Sequence, residues 1–193
     1  MLNALNPDAT APSGGSDLAL ARRAARDRAA FAELYRHYLP TVYRYLLARL
    51  GSVEGAEEVT AQTFEAALLG IGRFGGRSSL ATWLLGIARR KAADYFRQQR
   101  PTSLLDAASE IADAAPPLDE QVMRGLRLEQ VAQVMRCLAP ERAEALALRL
   151  FAGLSTAEAA QVMGKRESAV KMLVHRAVRD MQTRLAPQQE DVR

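Results

Sequence analysis

The chain has 193 residues, 49% of them apolar and 25% charged, which suits one ordinary domain or two small ones and argues against low-complexity disorder over most of its length. A single cysteine, Cys137, excludes an internal disulfide, and with only His37 and His175 beside it the sequence offers no His/Cys metal site. No apolar run approaches the ~20 residues of a membrane span, and the start MLNALNPDATAPSGGS lacks the basic opening and apolar centre of a secretion signal, so a soluble cytoplasmic protein without metal or cofactor is expected.

The net charge of +4 is unevenly spread: residues 1–15 carry −1, 16–100 carry +6, 101–122 carry −5 and 123–193 carry +4. Two basic blocks separated by an acidic, proline-bearing segment predict two polyanion-binding modules on a tether.

Ala, Leu, Arg, Glu and Gln dominate, strand signals are nearly absent, and an all-α fold follows. From Asp17 to Tyr38 the apolar positions Leu20, Ala24, Phe31, Leu34, Tyr35 and Tyr38 have helical spacing. Pro40 permits a break or kink, after which Val42, Tyr45, Leu46 and Leu50 open a second amphipathic run. Gly51-Ser52 reads as a helix stop followed by a new N-cap. The next helix has Glu54, Glu57 and Glu58 near its positive dipole end, an inner face of Ala56, Val59, Phe64, Ala67 and Leu68, and an outer face with Glu54, Glu58, Gln62 and Glu65. Gly70, Gly72, Gly75 and Gly76 form a loop holding Arg73, Phe74 and Arg77, and Ser78-Ser79 caps the helix LATWLLGIARRKAADYFRQQR, ended by Pro101.

That helix carries Arg89, Arg90, Lys91, Arg97 and Arg100, interleaved with Trp83, Tyr95 and Phe96 and preceded by Phe74. Basic groups neutralise phosphate and aromatic faces stack on unpaired bases, although Tyr95 and Phe96 fit the core better and Trp83 fits either place. Asp94 is placed to pair locally with Arg90 or Arg97.

The most informative stretch is LSTAEAAQVMGKRESAVKMLVHRA, residues 154–177. Ser155 and Glu158 form a capping box, Ala159, Ala160, Val162 and Met163 supply apolar contacts, and Gly164 ends the helix at a tight turn. A second helix is predicted to bury Val170, Leu173, Val174, Ala177 and Met181 while presenting Arg166, Ser168, Lys171, Met172, His175 and Arg179. This is the helix-turn-helix pattern, whose second helix lays its polar face in the major groove of DNA.

Taken together these stretches resemble a bacterial sigma factor of the extracytoplasmic function (ECF) group, the minimal two-domain members of the sigma-70 family. The resemblance covers about residues 24–100 and 125–185, through AFAELYRHYLPTVYRYL, EGAEEVTAQTFEAAL, RSSLATWLLGIARRKAADYFRQ and the helix-turn-helix. It implies a sigma-2-like helical bundle over 16–100, an acidic flexible linker over 101–122 and a sigma-4-like helix-turn-helix domain over 123–185, between a disordered tail (1–15) and a frayed one (186–193). The first domain would dock on the clamp helices of the polymerase β′ subunit and capture flipped bases of the −10 element. The second would read the −35 element as duplex and touch the β flap. An anti-sigma partner is also implied. The elements lie about two helical turns apart at ~34 Å each, a span that a linker of at most ~75 Å plus the module widths can cover.

By position, the resemblance places Glu54, Glu57, Glu58, Gln62 and Glu65 on the polymerase-docking helix. Arg77, Ser78, Ser79, Thr82, Trp83, Arg89, Arg90, Lys91 and Arg97 fall in the −10 recognition and melting region, and Arg166, Ser168, Lys171, Met172, His175 and Arg176 on the −35 reading helix. The chain departs from the family pattern at Ala61-Gln62-Thr63-Phe64, where Q-E-T-F is common, at Arg90 for a common asparagine, and at Ala169 for a frequent threonine.

Other functions fit less well. Gly70-x-Gly72-x-x-Gly75 matches a dinucleotide fingerprint but follows a helix where that motif needs a strand. No Walker loop or Ser/His/Asp or Cys/His set is present, so an enzyme is not expected. A helix-turn-helix regulator that leaves the sigma subunit in place is the main rival, and a purely protein-binding adaptor fits two basic modules poorly. His37 is expected on a helix surface, and Cys137 at a buried or partly buried position.

Overall fold

A computed structural model describes residues 14–99 and 135–185 of the chain. Among them every regular element is helical: α1 (Gly14–Ala24), α2 (Arg28–Leu50), α3 (Val53–Gly70), a 3₁₀ turn (Ile71–Arg73), α4 (Leu80–Gln98), α5 (Pro140–Leu146) running on as a π-helical turn (Ala147–Phe151), α6 (Thr156–Met163) and α7 (Glu167–Leu185). The expected linker at 101–122, Arg100, residues 123–134 and the tail at 186–193 lie outside the described residues, whereas α1 begins at Gly14, just inside the stretch expected to be a tail.

The helix boundaries follow local chemistry. Asp27 caps α2 by accepting from the Ala29 and Ala30 N–H groups at 2.9 and 3.3 Å. Gly51, at φ 69°, ends α2 in the left-handed conformation that glycine adopts without penalty. Ser52 and Ser79 then cap α3 and α4 through Gly55 N–H and Thr82 N–H. Of the break or kink that Pro40 permits, the break is absent: α2 runs through Pro40, and the chain breaks instead just before Asp27. Pro40 stands on the exposed side of the helix, where a carbonyl deprived of its helical donor remains accessible to water.

Helices α2, α3 and α4 pack around Leu34, Val42, Tyr45, Leu46, Val59, Leu80, Leu84 and Leu85, all fully buried. Ala56, Phe64 and Ala67 occupy the inner face of α3 as expected, but Leu68 is 50% exposed: α3 meets α2 and α4 over too narrow a stripe to cover it. Helix α1 crosses this bundle and ties it down through Asp17. That carboxylate is 2% exposed and accepts from the Leu80 N–H, the first helical residue of α4, at 2.7 Å. Burial, followed by the nearby Asp17 charge, pushes the Tyr38 phenol above its ordinary value.

The C-terminal helices gather around Leu146, Leu148, Ala159, Val170 and Ala177, with Leu173, Val174 and Met181 only partly buried against them. The two helical groups touch: α4 packs on α6, α2 packs on the π-helical turn, and one continuous apolar cluster runs through both. Cys137 is exposed rather than buried, on the turn before α5, because its neighbours Met135 and Leu138 take the inward positions. His37 is exposed on α2, as expected.

Two carboxylates rank differently in this framework. Replacing exposed Asp27 by Ala removes one cap and is expected to cost ~1 kcal/mol. Asp17→Ala strands a buried donor and is expected to cost ~2–3 kcal/mol. Urea unfolding of the two variants checks the order, and an equal or reversed loss would contradict the role given to Asp17.

Candidate nucleic-acid and polymerase interfaces

Three surfaces carry the residues singled out by sequence. The first is the outer face of α3, where Glu54, Glu57, Glu58 and Glu65 are exposed and Gln62 is half-buried. Glu58 accepts from the Gln62 amide at 3.0 Å, and Glu54 accepts from the Ser52 hydroxyl at 2.9 Å. A hydrogen bond from its own backbone N–H, then that from Ser52, holds the Glu54 carboxyl below its ordinary value. Tyr43 borders this field: partial burial, then the charges of Glu57 and Glu54, raise its phenol. Leu69, 81% exposed, extends the face with apolar surface at the C-terminal end of α3.

The second surface is the loop before α4 together with the outer side of α4. Arg77, Arg90 and Arg97 are exposed, while Ser78, Ser79, Trp83, Arg89 and Lys91 are half-buried. Arg97 is paired with Asp94 at 2.7 Å. The aromatic residues divide between core and surface. Phe74 is buried, Trp83 meets it edge-on at 5.6 Å between ring centres, and Phe96 lies beneath the Arg49 guanidinium at 4.8 Å. Trp83 thus keeps partial exposure on a fixed support. Arg90 and Arg97 line a cleft of about 730 Å³ with Arg49, Phe96 and Arg136.

Thr82 differs from its neighbours, being 4% exposed. The cause is α6. Glu158 Oε1 accepts from the Ser79 hydroxyl at 2.9 Å and lies 3.5 Å from the Thr82 hydroxyl. Arg89 directs Nη1 to the Val162 carbonyl at 3.5 Å, and its Nε lies 3.9 Å from Glu144. Glu144, just 7% exposed, also accepts from the Tyr45 hydroxyl at 2.7 Å and from Arg49 Nε at 2.9 Å. Complete burial and then Glu144 push the Tyr45 phenol well above its ordinary value. Sequence reasoning missed Asp17 and Glu144, and it saw only the capping role of Glu158. Helical periodicity marks these positions as ordinary polar sites, and their partners stand 63 to 99 residues away.

The third surface is the helix-turn-helix. Its capping box is complete: Glu158 N–H donates to Ser155 Oγ, and Glu158 Oε2 accepts from the Ser155 N–H. Gly164 closes α6 at φ 64°. Ahead of α6, Arg149 donates to the Leu154 carbonyl, and Lys165, directly after Gly164, pairs with Glu141 at 2.7 Å. Val170 and Ala177 face inward, and Arg166, Ser168, Lys171, Met172, His175 and Arg176 are all exposed. Arg166 immediately precedes α7, and the other five lie on it.

Residues 34–102 match the family model described as Sigma-70 region 2, and residues 128–181 match Sigma-70, region 4. The chain is 38% identical to the ECF RNA polymerase sigma factor BldN of Streptomyces coelicolor, over 91% of this chain and 69% of that protein. It is 34% identical to the ECF RNA polymerase sigma factor SigC of Mycobacterium tuberculosis, over 88% of this chain and 91% of that protein. Its fold is similar to that of CnrH, solved in complex with the cytosolic domain of CnrY, with a TM-score of 0.67 at 25% identity over 88% of this chain and 97% of that one.

Ser155 acts on both the helix and the carboxylate. Burial works to raise the Glu158 carboxyl, but hydrogen bonds from Ser155, Ser79 and Thr82 outweigh it and hold the group below its ordinary value. Its contribution to stability is therefore present above the ordinary carboxylate range and lost as pH falls through the lowered value. Ser155→Ala is expected to cost ~1 kcal/mol and to move the Glu158 titration upward in an NMR pH series; an unmoved titration would contradict this balance.

Proposed function

The chain belongs to the ECF group of the sigma-70 family, and from that premise we propose how its three surfaces divide the work of an alternative sigma factor that directs promoter-specific transcription initiation. Glu54, Glu57, Glu58, Gln62 and Glu65 dock the chain on the β′ clamp helices of core RNA polymerase. Arg77, Ser78, Ser79, Thr82, Trp83, Arg89, Arg90, Lys91 and Arg97 hold the −10 element and help open it, with guanidinium and ammonium groups on phosphates and the half-exposed Trp83 ring against an unstacked base. Arg166, Ser168, Lys171, Met172, His175 and Arg176 read the −35 element in the major groove.

The observation that carries this reading is the exposed face of α7. It is basic, single-sided, and supported by a capped helix and a left-handed glycine turn, which hold a recognition helix at a fixed angle to its bracing helix. The other helical group of the chain adds a segregated acidic face on α3. A helix-turn-helix regulator that leaves the sigma subunit in place has no need of that face. The protein acts by binding rather than by catalysing a reaction of its own, and no helix among the described residues is long and apolar enough to cross a membrane. We place its work in the cytoplasm, with an anti-sigma protein and the β flap as further partners.

Two measurements test these assignments. Lys171→Ala and Arg176→Ala are each expected to weaken binding of the holoenzyme to a −35 duplex, and removing a cation that neutralises a phosphate at either position lowers the slope of log affinity against log salt by ~1. Unchanged affinity and slope would remove the residue from the interface. Glu58→Lys is expected to reduce competition for core polymerase at least tenfold while leaving helicity intact, and undiminished competition would remove α3 from docking.

A further inference from the structure

The exposed face of α7 is polar and basic on both sides of an apolar centre. Val170 and Ala177 are fully buried and fix which side of the helix points inward. At ~100° of rotation per residue, Met172 stands about 160° from Val170 and about 140° from Ala177, opposite the buried stripe. Its side chain is large, apolar and 51% exposed. Ser168, Ala169, His175 and Arg176 are exposed too, and all four lie within about 60° of Met172 around the helix. Lys171 is turned about 100° away, toward one flank. Contacts from outside the helix hold this rotation: Arg142 of α5 pairs with Asp180, and Lys165 in the turn pairs with Glu141.

When a recognition helix enters the major groove, the centre of its exposed face meets the base edges and its flanks meet the phosphate walls. Lys171 is therefore placed for a phosphate, and Met172 for the floor of the groove. The base edges there present hydrogen-bond donors and acceptors, and the 5-methyl of thymine is the one apolar group that projects from them. A thioether does not donate and accepts only weakly, so Met172 has little to offer a G·C pair and an apolar contact to offer an A·T pair. Its unbranched, adaptable chain suits an approach to a base edge. We propose that Met172 is a specificity-determining residue of the −35 interface: it packs on the 5-methyl group of one thymine and so selects an A·T pair at that position. The inference rests on the assignment of α7 to the −35 element and adds the chemical group that is read there.

Uracil isolates that group, because deoxyuridine pairs as thymidine does and lacks only the methyl. The probes are duplexes carrying the −35 sequence of a promoter mapped for this factor, each with one thymine of either strand replaced by uracil, titrated with holoenzyme. At one position the wild type is expected to lose about fourfold in affinity, the worth of burying one methyl-sized group. Met172→Ala is expected to lose at least as much affinity for the thymine duplex and to bind thymine and uracil duplexes equally, whereas Met172→Leu keeps the preference for thymine. A wild type indifferent to uracil at every position, a −35 element without an A·T pair, or a Met172→Ala variant that still prefers thymine would overturn the proposal. Lys171→Ala separates it from the reading on which it rests. If that variant weakens binding while uracil does not, α7 remains on the −35 element and the methyl contact falls. If neither change alters binding, nor does scrambling the −35 sequence, both fall.

Discussion

The arrangement of this chain depends on where the carboxylate of Glu144 goes: into a buried site between the Tyr45 hydroxyl and the Arg49 guanidinium, with Arg89 alongside. Burying an ion pair of this kind contributes little net stability, because desolvation offsets most of the attraction, yet removing one partner costs ~3–5 kcal/mol. Such a pair therefore specifies geometry more than it adds energy. Apolar contact is non-directional, whereas the two hydrogen bonds from Tyr45 and Arg49 to one carboxylate, with a second guanidinium beside it, are directional.

Helix α4 shows how one element serves several purposes. Leu80, Leu84, Leu85, Ile87, Ala88 and Ala92 bind it to the core. Its N-terminus is held twice, by Ser79 from its own chain segment and by Asp17 from α1. That double hold fixes the direction in which Thr82, Trp83 and Arg89 project. Acceptors of α5 and α6, Glu144 and Glu158, lie against that surface at Arg89 and Ser79. The helix-turn-helix, by contrast, keeps its reading face clear: each residue assigned to the −35 element is exposed.

Most of the local structure was legible in the sequence because it is set by interactions a few residues long. The caps at Ser52, Ser79 and Ser155 and the stops at Gly51 and Gly164 stand where their residue types predict. Periodicity also separated the inner from the outer face of α3 and α7, with Leu68 misplaced because a short amphipathic stripe does not reveal how widely its partners cover it. Pro40 left a break or a kink open because the cost of an interior proline depends on which side of the helix it occupies, and that is a tertiary property. Cys137 misled because composition says nothing of which residue in a turn points inward. Asp17, Glu144 and the second role of Glu158 were illegible for a different reason: each is defined by a partner far along the chain, and nothing near it in sequence distinguishes it from a solvated acid.

The claim on which the whole account turns is that two basic modules of one chain direct core polymerase to a promoter. Reconstituted transcription with purified core enzyme, followed by mapping of transcript 5′ ends, measures it most directly. Addition of the chain is predicted to produce discrete start sites that share paired upstream elements, spaced about two helical turns apart, and that are absent with core enzyme alone. Transcripts whose starts are unaffected by the chain, or that appear only when another sigma factor is supplied, would contradict it.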